Sequence, residues 1–270
     1  MKGKVYLVGA GPGDPELLTV KALRLLQSAE VVLYDDLVSA EILSLIPSTA
    51  ELHGVGKRAG SKSIRQEEIN FLMIAFAETG RQVIRLKSGD PLIFGRAGEE
   101  IEALRAAGIA SEIVPGVTSA LGAAAAAQIP LTHRRASSAV VLLTGQQASG
   151  SKAAEWNKLV SSGSTLVIYM PGKNYAEIGA KLRSAGLEEE TPCALISRAT
   201  TPQQRVHRTS VGELGHAPTL AAPMLLLIGE VVRLADPAVL DSLGASALVG
   251  DNNIVDDAVA VGLGDEEALA

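Results

Sequence analysis

A single cysteine, Cys193, stands in a chain of 270 residues, so no disulfide can form within it. One thiol fits a reducing, cytoplasmic setting, and inside 192-PCALIS-197 it reads as a small core residue rather than a nucleophile. Aromatic residues make up only 3%, which leaves the core to Ala, Val, Leu and Ile and offers RNA no stacking platform. The longest apolar runs, such as 223-PMLLLIG-229, are far too short to span a bilayer, and no signal-peptide pattern opens the chain. The four histidines, His53, His133, His207 and His216, have no metal-ligand spacing, so no metal is expected. Neither G-x-S-x-G nor a P-loop occurs, which disfavours nucleophilic hydrolysis and kinase chemistry.

Basic residues are missing from one end. After Arg233 there is no Lys or Arg but there are eight acids, so residues 1–235 hold all 24 basic residues against 22 acids. The net charge of −6 therefore belongs to the tail, and the body is close to neutral. Within that body, 53-HGVGKRAGSKSIR-65 carries Lys57, Arg58, Lys62 and Arg65 without an acid, and shorter basic groups lie in 133-HRR-135 and 198-RATTPQQRVHR-208. Local clusters on a neutral body suit a compact polyanion better than a nucleic acid, though solvated loops would look the same.

Residues 4–11 read as a strand entering a glycine turn, 14–29 as a helix with Asp14 as N-cap and Pro15 in its first turn, and 30–35 as a second strand. Further strands are expected at 82–89 and 110–116, with helices at 66–79 and 97–107 between them. Such alternation predicts a mostly parallel sheet covered on both faces. An alanine-rich helix over 118–128 and the break at 129–137 precede a second series. Its strands are expected at 138–145, 164–170, 192–197 and 223–229, with helices at 152–161 and 174–185. The pattern predicts an N-terminal α/β domain over 1–120, a C-terminal α/β domain over 136–235 and a flexible acidic tail over 236–270, with a cleft between the domains.

Three loops could carry chemistry. In 8-VGAGPGDPELLT-19 the third glycine, Gly13, falls one residue short of the dinucleotide spacing G-x-G-x-x-G, and Pro12 removes an N–H that a pyrophosphate would use. A tight turn and a binding loop for some flat ligand both fit. In 87-KSGDPLIFGR-96 a second Gly-Asp-Pro follows a strand, and Asp90 can cap the turn or meet a cation. Asp35 and Asp36 follow the second strand, and Lys57 sits in the glycine-flanked 54-GVGKRAG-60. An acid and a lysine on successive loops can act as base and acid or form an ordinary ion pair. A nucleotide-binding module without catalysis also stays open on these loops alone.

Seven segments in one register resemble the uroporphyrinogen-III C-methyltransferase family of tetrapyrrole methylases: 8-VGAGPGDPELLT-19, 31-VVLYDDLVS-39, 54-GVGKRAG-60, 87-KSGDPLIFGRAGEE-100, 114-VPGVTSALG-122, 129-IPLTHR-134 and 167-VIYM-170. The resemblance implies two α/β domains, S-adenosylmethionine as methyl donor, S-adenosylhomocysteine as its product, and usually a homodimer. It implies methylation of uroporphyrinogen III at C2 and C7 to precorrin-2, on a route to sirohaem or cobalamin. By position it makes Asp35 the proton acceptor and Lys57 the proton donor. Pro12, Ser88, Gly89, Asp90, Ile93, Thr118, Ser119, Met170 and Ala199 fall at cofactor contacts, and Arg58, Arg96 and Arg134 would face the porphyrinogen. Ser88 and Ala199 stand where glycine is common in the family.

Overall fold

The computed structural model describes residues 2–56, 64–146 and 155–235. Five strands form the first sheet: β1 (Lys4–Gly9), β2 (Val31–Tyr34), β3 (Glu51–Gly54), β4 (Val83–Lys87) and β5 (Ala110–Val114). They are all parallel, in the order β3-β2-β4-β1-β5. Alternation along each strand splits the apolar residues between two cores. Val5 and Leu7 of β1 join Ile69, Met73 and Leu104 beneath α3 (Gln66–Glu78) and α4 (Ala97–Ala106). Val8 joins Leu26 and Ile42 beneath α1 (Val20–Gln27) and α2 (Ala40–Leu43) on the other face.

The alanine-rich α5 (Ser119–Ala126) leads from the first sheet to the second. Its small side chains let the helix lie close to its neighbours, and Ala120, Ala123 and Ala124 are buried with Val167, Ile196 and Leu227 of the second sheet. That sheet runs β6-β7-β10-β8-β9, built from β6 (Val140–Thr144), β7 (Thr165–Tyr169), β8 (Pro192–Ser197), β9 (Arg205–Ser210) and β10 (Met224–Ile228). Leu166 and Ile168 face the opposite way, into a core with Tyr175 and Leu182 of α7 (Tyr175–Ser184); Trp156 and Leu159 of α6 (Trp156–Ser161) pack against it.

Several elements depart from the sequence reading. The helix expected over 14–29 is broken in two. Asp14 caps only a single 3₁₀ turn at Pro15–Leu17, the chain extends at Leu18, and Thr19 caps α1 by accepting a bond from Ala22 N–H. Edge strands β3 and β9 were not expected. The second sheet is mixed: β6 and β7 are parallel, whereas β10 is antiparallel to β7 and β8, and β9 is antiparallel to β8. No α-helix lies between β8 and β10 to return the chain in the same direction. Residues 147–154, including the start of the helix expected from 152, and the whole acidic tail lie outside the described residues.

Candidate active site

Parallel strands bring their C-terminal ends to one edge, and the loops after β1, β2, β4 and β5 meet there. Two glycine loops bind each other: Gly11 N–H donates to Gly89 O at 3.1 Å and Gly89 N–H to Gly11 O at 2.7 Å. The loop after β5 fits against them only because it passes as glycine, since a Cβ on Gly116 would lie 2.3 Å from Gly89 O. Asp90 fixes the second loop by accepting from Leu92 N–H at 2.8 Å and from Gly116 N–H at 3.1 Å. Its cap role is thus realised.

Gly13 serves contact with the second half of the chain. A Cβ there would lie 2.7 Å from Thr201 Cγ2, and the next residue, Asp14, donates its N–H to Thr200 Oγ1 at 3.2 Å. From the other side, the buried Tyr169 at the end of β7 hydrogen-bonds Thr118 at 2.7 Å, accepts from Ala120 N–H at 3.1 Å, and lies 4.9 Å ring to ring from Phe94. Burial raises the Tyr169 phenol above its ordinary range, so it stays a neutral hydrogen-bonding group.

Between these loops lies a cavity of about 640 Å³ with mostly apolar walls. All nine positions expected to contact a cofactor line it: Pro12, Ser88, Gly89, Asp90 and Ile93 from the first-sheet loops, Thr118 and Ser119 at the start of α5, and Met170 and Ala199 from the second sheet. Asp35 and Arg96 line it too. Arg134 does not; it is exposed in the turn bridged by His133 and Ser137. Lys57 and Arg58 lie outside the described residues, although Gly56 and Ile64 on either side of that segment border the cavity. Five of the six non-glycine residues with positive φ among the described residues, Phe94, Arg96, Met170, Arg198 and Thr200, sit in loops around it. Such strain collects where a ligand site dictates the backbone.

Beneath Asp35 lies a cluster that the sequence reading missed. Arg85, Lys87 and Glu100 are 2%, 3% and 0% exposed. Arg85 donates from Nη2 to Asp35 Oδ1 and from Nε to Glu100 Oε1 at 2.9 Å. Lys87 Nζ lies 3.0 Å from Glu100 Oε1 and 3.9 Å from Asp35 Oδ2. Burial opposes the Arg85 charge, yet Asp35 and Glu100 hold its ionisation above the ordinary arginine range. Burial and then the adjacent Arg85 push the Lys87 ammonium below the usual lysine range. The signal was present in 83-VIRLK-87: two cations two residues apart in a central apolar strand are tolerable only when paired.

Outside this cluster, Arg96 is half exposed and grips Glu99 through two bonds of 2.8 and 2.6 Å. Cys193 is fully buried in β8, and burial pushes its thiol up to about 12, far from nucleophilic use.

A glycine-lined trough between two α/β sheets prompts comparison with known proteins. Residues 4–215 match the model of the Tetrapyrrole (Corrin/Porphyrin) Methylases. The chain belongs to the tetrapyrrole methylase family. Over 236 residues it is 52% identical to the uroporphyrinogen-III C-methyltransferase of Pseudomonas aeruginosa, covering 86% of the chain and 96% of that relative. It is 49% identical over 235 residues to siroheme synthase 2 of Aeromonas hydrophila, covering 87% of the chain and 50% of the relative. The chain thus spans about half the length of the siroheme synthases it matches. A crystal structure of uroporphyrin-III C-methyl transferase from Thermus thermophilus complexed with S-adenyl homocysteine superposes with a TM-score of 0.76, at 40% identity over 86% of this chain and all of that one.

Proposed function

We propose that this chain transfers methyl groups from S-adenosylmethionine to carbon atoms of uroporphyrinogen III, at C2 and then C7, giving precorrin-2 and S-adenosylhomocysteine. The observation that carries this reading is the convergence of the nine positions expected at cofactor contacts, with Asp35 and Arg96, on one cavity. Its volume falls within the usual range for small-molecule sites. Apolar walls with a few convergent polar groups suit a flat, partly cationic donor, and the Gly11–Gly89 pairing lets backbone line the ligand surface.

In the reaction, the methyl carbon bonds to an electron-rich ring carbon as the carbon–sulfur bond breaks, its electron pair going to sulfur. The chain's part is to hold acceptor and donor at attack distance in a water-poor trough, an effect worth roughly 7–11 kcal/mol in favourable intramolecular systems. The methylated ring then gives up a proton, and Asp35 is the acceptor in this reading, with Lys57 the proton donor. Arg96, Arg58 and Arg134 would meet the carboxylates of the porphyrinogen, Arg96 by exchanging its Glu99 partner for substrate.

The same reading takes residues 1–120 and 136–235 as two domains closing on the trough, 236–270 as a flexible tail, and the protein as a cytoplasmic homodimer. Among the described residues no helix is long and apolar enough to cross a membrane. The test is anaerobic incubation with S-adenosylmethionine and freshly reduced uroporphyrinogen III, followed by mass spectrometry. A product two methyl groups heavier than substrate is expected; no methylated product from protein shown to bind the cofactor would sink the proposal.

A further inference from the structure

The buried charges below Asp35 form a closed group of two cations and two carboxylates. Glu100, from α4, receives three donors on Oε1: Arg85 Nε at 2.9 Å, Lys87 Nζ at 3.0 Å and Gln66 Nε2 at 3.1 Å. Its Oε2 is buried and has no hydrogen-bond partner. Gln66 also donates to Asn70 Oδ1 at 3.2 Å, which fixes its amide. Glu100 does not line the cavity, whereas Asp35, Arg85, Lys87 and Gln66 do. The other acid whose field reaches Lys87 is Glu99, which is half exposed on the outer side of α4 and already engaged by Arg96.

A carboxylate flanked by two buried cations binds a proton poorly, because protonation leaves both cations uncompensated. Glu100 prevents that arrangement. It draws Lys87 to 3.0 Å from itself and leaves it 3.9 Å from Asp35, so Arg85 alone hydrogen-bonds Asp35, through one oxygen. We propose that Glu100 is a positioning residue for proton acceptance by Asp35: a buried counter-anion that keeps Lys87 off the Asp35 carboxylate and leaves Oδ2 open to take a proton. In the step served, methylation leaves an iminium in the ring; a C–H bond of the adjacent bridging methylene breaks, its electron pair forms the C=C bond that neutralises the iminium, and the proton moves to Asp35, which becomes neutral. Glu100 then supplies the one negative charge left against Arg85 and Lys87. The inference rests on Asp35 being the proton acceptor.

The test uses Glu100→Gln, which keeps shape and an acceptor oxygen but loses the charge, and Glu100→Asp, which keeps the charge. With Glu100→Gln, turnover should fall about tenfold while KM for both substrates stays within about threefold. The acid limb of the kcat profile should move to lower pH, because a more positive surrounding keeps the acceptor ionised further into acid. Lys87→Met removes a cation and should move that limb to higher pH. The double variant Lys87→Met/Glu100→Gln restores charge balance and should return the limb close to wild type. Glu100→Asp should recover most of the turnover. A limb unmoved in the single variants, or a double variant no closer to wild type than Glu100→Gln, would overturn the inference; if Glu100→Gln does not fold, Lys87→Met against the double variant decides. A readout independent of turnover is the Lys87 Cε chemical shift followed against pH, which should show the ammonium losing its proton at lower pH in Glu100→Gln. Unchanged turnover in Asp35→Asn combined with that Lys87 response would remove Asp35 from its role while leaving the charge network standing.

Discussion

Asp35 and Tyr169 show how differently two residues of one site disclose themselves. Asp35 was recognisable because it follows a strand in a loop that the family uses; its partners were not, since Arg85 and Glu100 are 50 and 65 positions further along and only folding brings them together. Asp35→Asn should lower turnover by about 100-fold while leaving S-adenosylhomocysteine affinity within about threefold in calorimetry, because an amide keeps the shape but accepts no proton. Comparable losses in both would mean the side chain serves binding. Tyr169 lay in a motif valued for Met170, and nothing along the chain says that its hydroxyl ties β7 to the start of α5. Tyr169→Phe leaves Ala120 N–H without that acceptor and should cost about 1–3 kcal/mol in urea unfolding, with weaker cofactor binding. No change in either would show that the hydroxyl is incidental.

Elements were legible where one rule acted alone. Four of the five strands of the first sheet, β1, β2, β4 and β5, announced themselves by apolar runs, and α3, α4 and α7 by their spacing, with ends within about two residues. The misses have physical causes. β3 reads ELHG and lies at a sheet edge with little to bury, so no apolar signal marks it. β9 reads RVHRTS, and its basic residues looked like a loop for an anionic ligand. In the structure its Arg208 instead donates to the Val232 carbonyl, and Arg198, just beyond β8, donates to that of Ala222. The direction of β10 depends on pairing partners distant in sequence, which local periodicity does not encode. Within α5, Gly122→Ala tests packing against propensity. Alanine favours the helix by about 1 kcal/mol, but its Cβ would lie 2.6 Å from Pro12 Cγ. Net destabilisation and weaker cofactor binding are expected, because Pro12 lines the cavity; a more stable variant with unchanged binding would contradict the contact.

At the scale of the whole molecule, the two sheets meet through few but specific contacts, and the cavity exists only where they do. The strand–helix pattern anticipated two α/β series with a cleft between them, and the family resemblance added which ligands such a cleft would take. One ion-pair group outside the trough ties β1, β5 and α1 together: Glu112 pairs with Lys4 and Lys21. The Lys21 and Lys4 hydrogen bonds hold its carboxyl below the ordinary 4.5, at about 2. A lowered acid contributes stability above its unfolded value, and that contribution is lost as pH falls from about 4.5 toward 2. Thermal unfolding should therefore separate wild type from Glu112→Gln at pH 7, and the gap should close by about pH 2. A gap of the same size at both ends would show that the carboxylate charge is not its source.

The most direct measurement of the central claim is carbon-13 NMR of the product made from methyl-labelled S-adenosylmethionine and uroporphyrinogen III. Methyl transfer to ring carbon predicts two labelled methyl groups bonded to quaternary carbons of the macrocycle, with two equivalents of S-adenosylhomocysteine formed. Label found as methyl ester on the side-chain carboxylates, or left entirely on the donor after prolonged incubation with cofactor-binding protein, would contradict it.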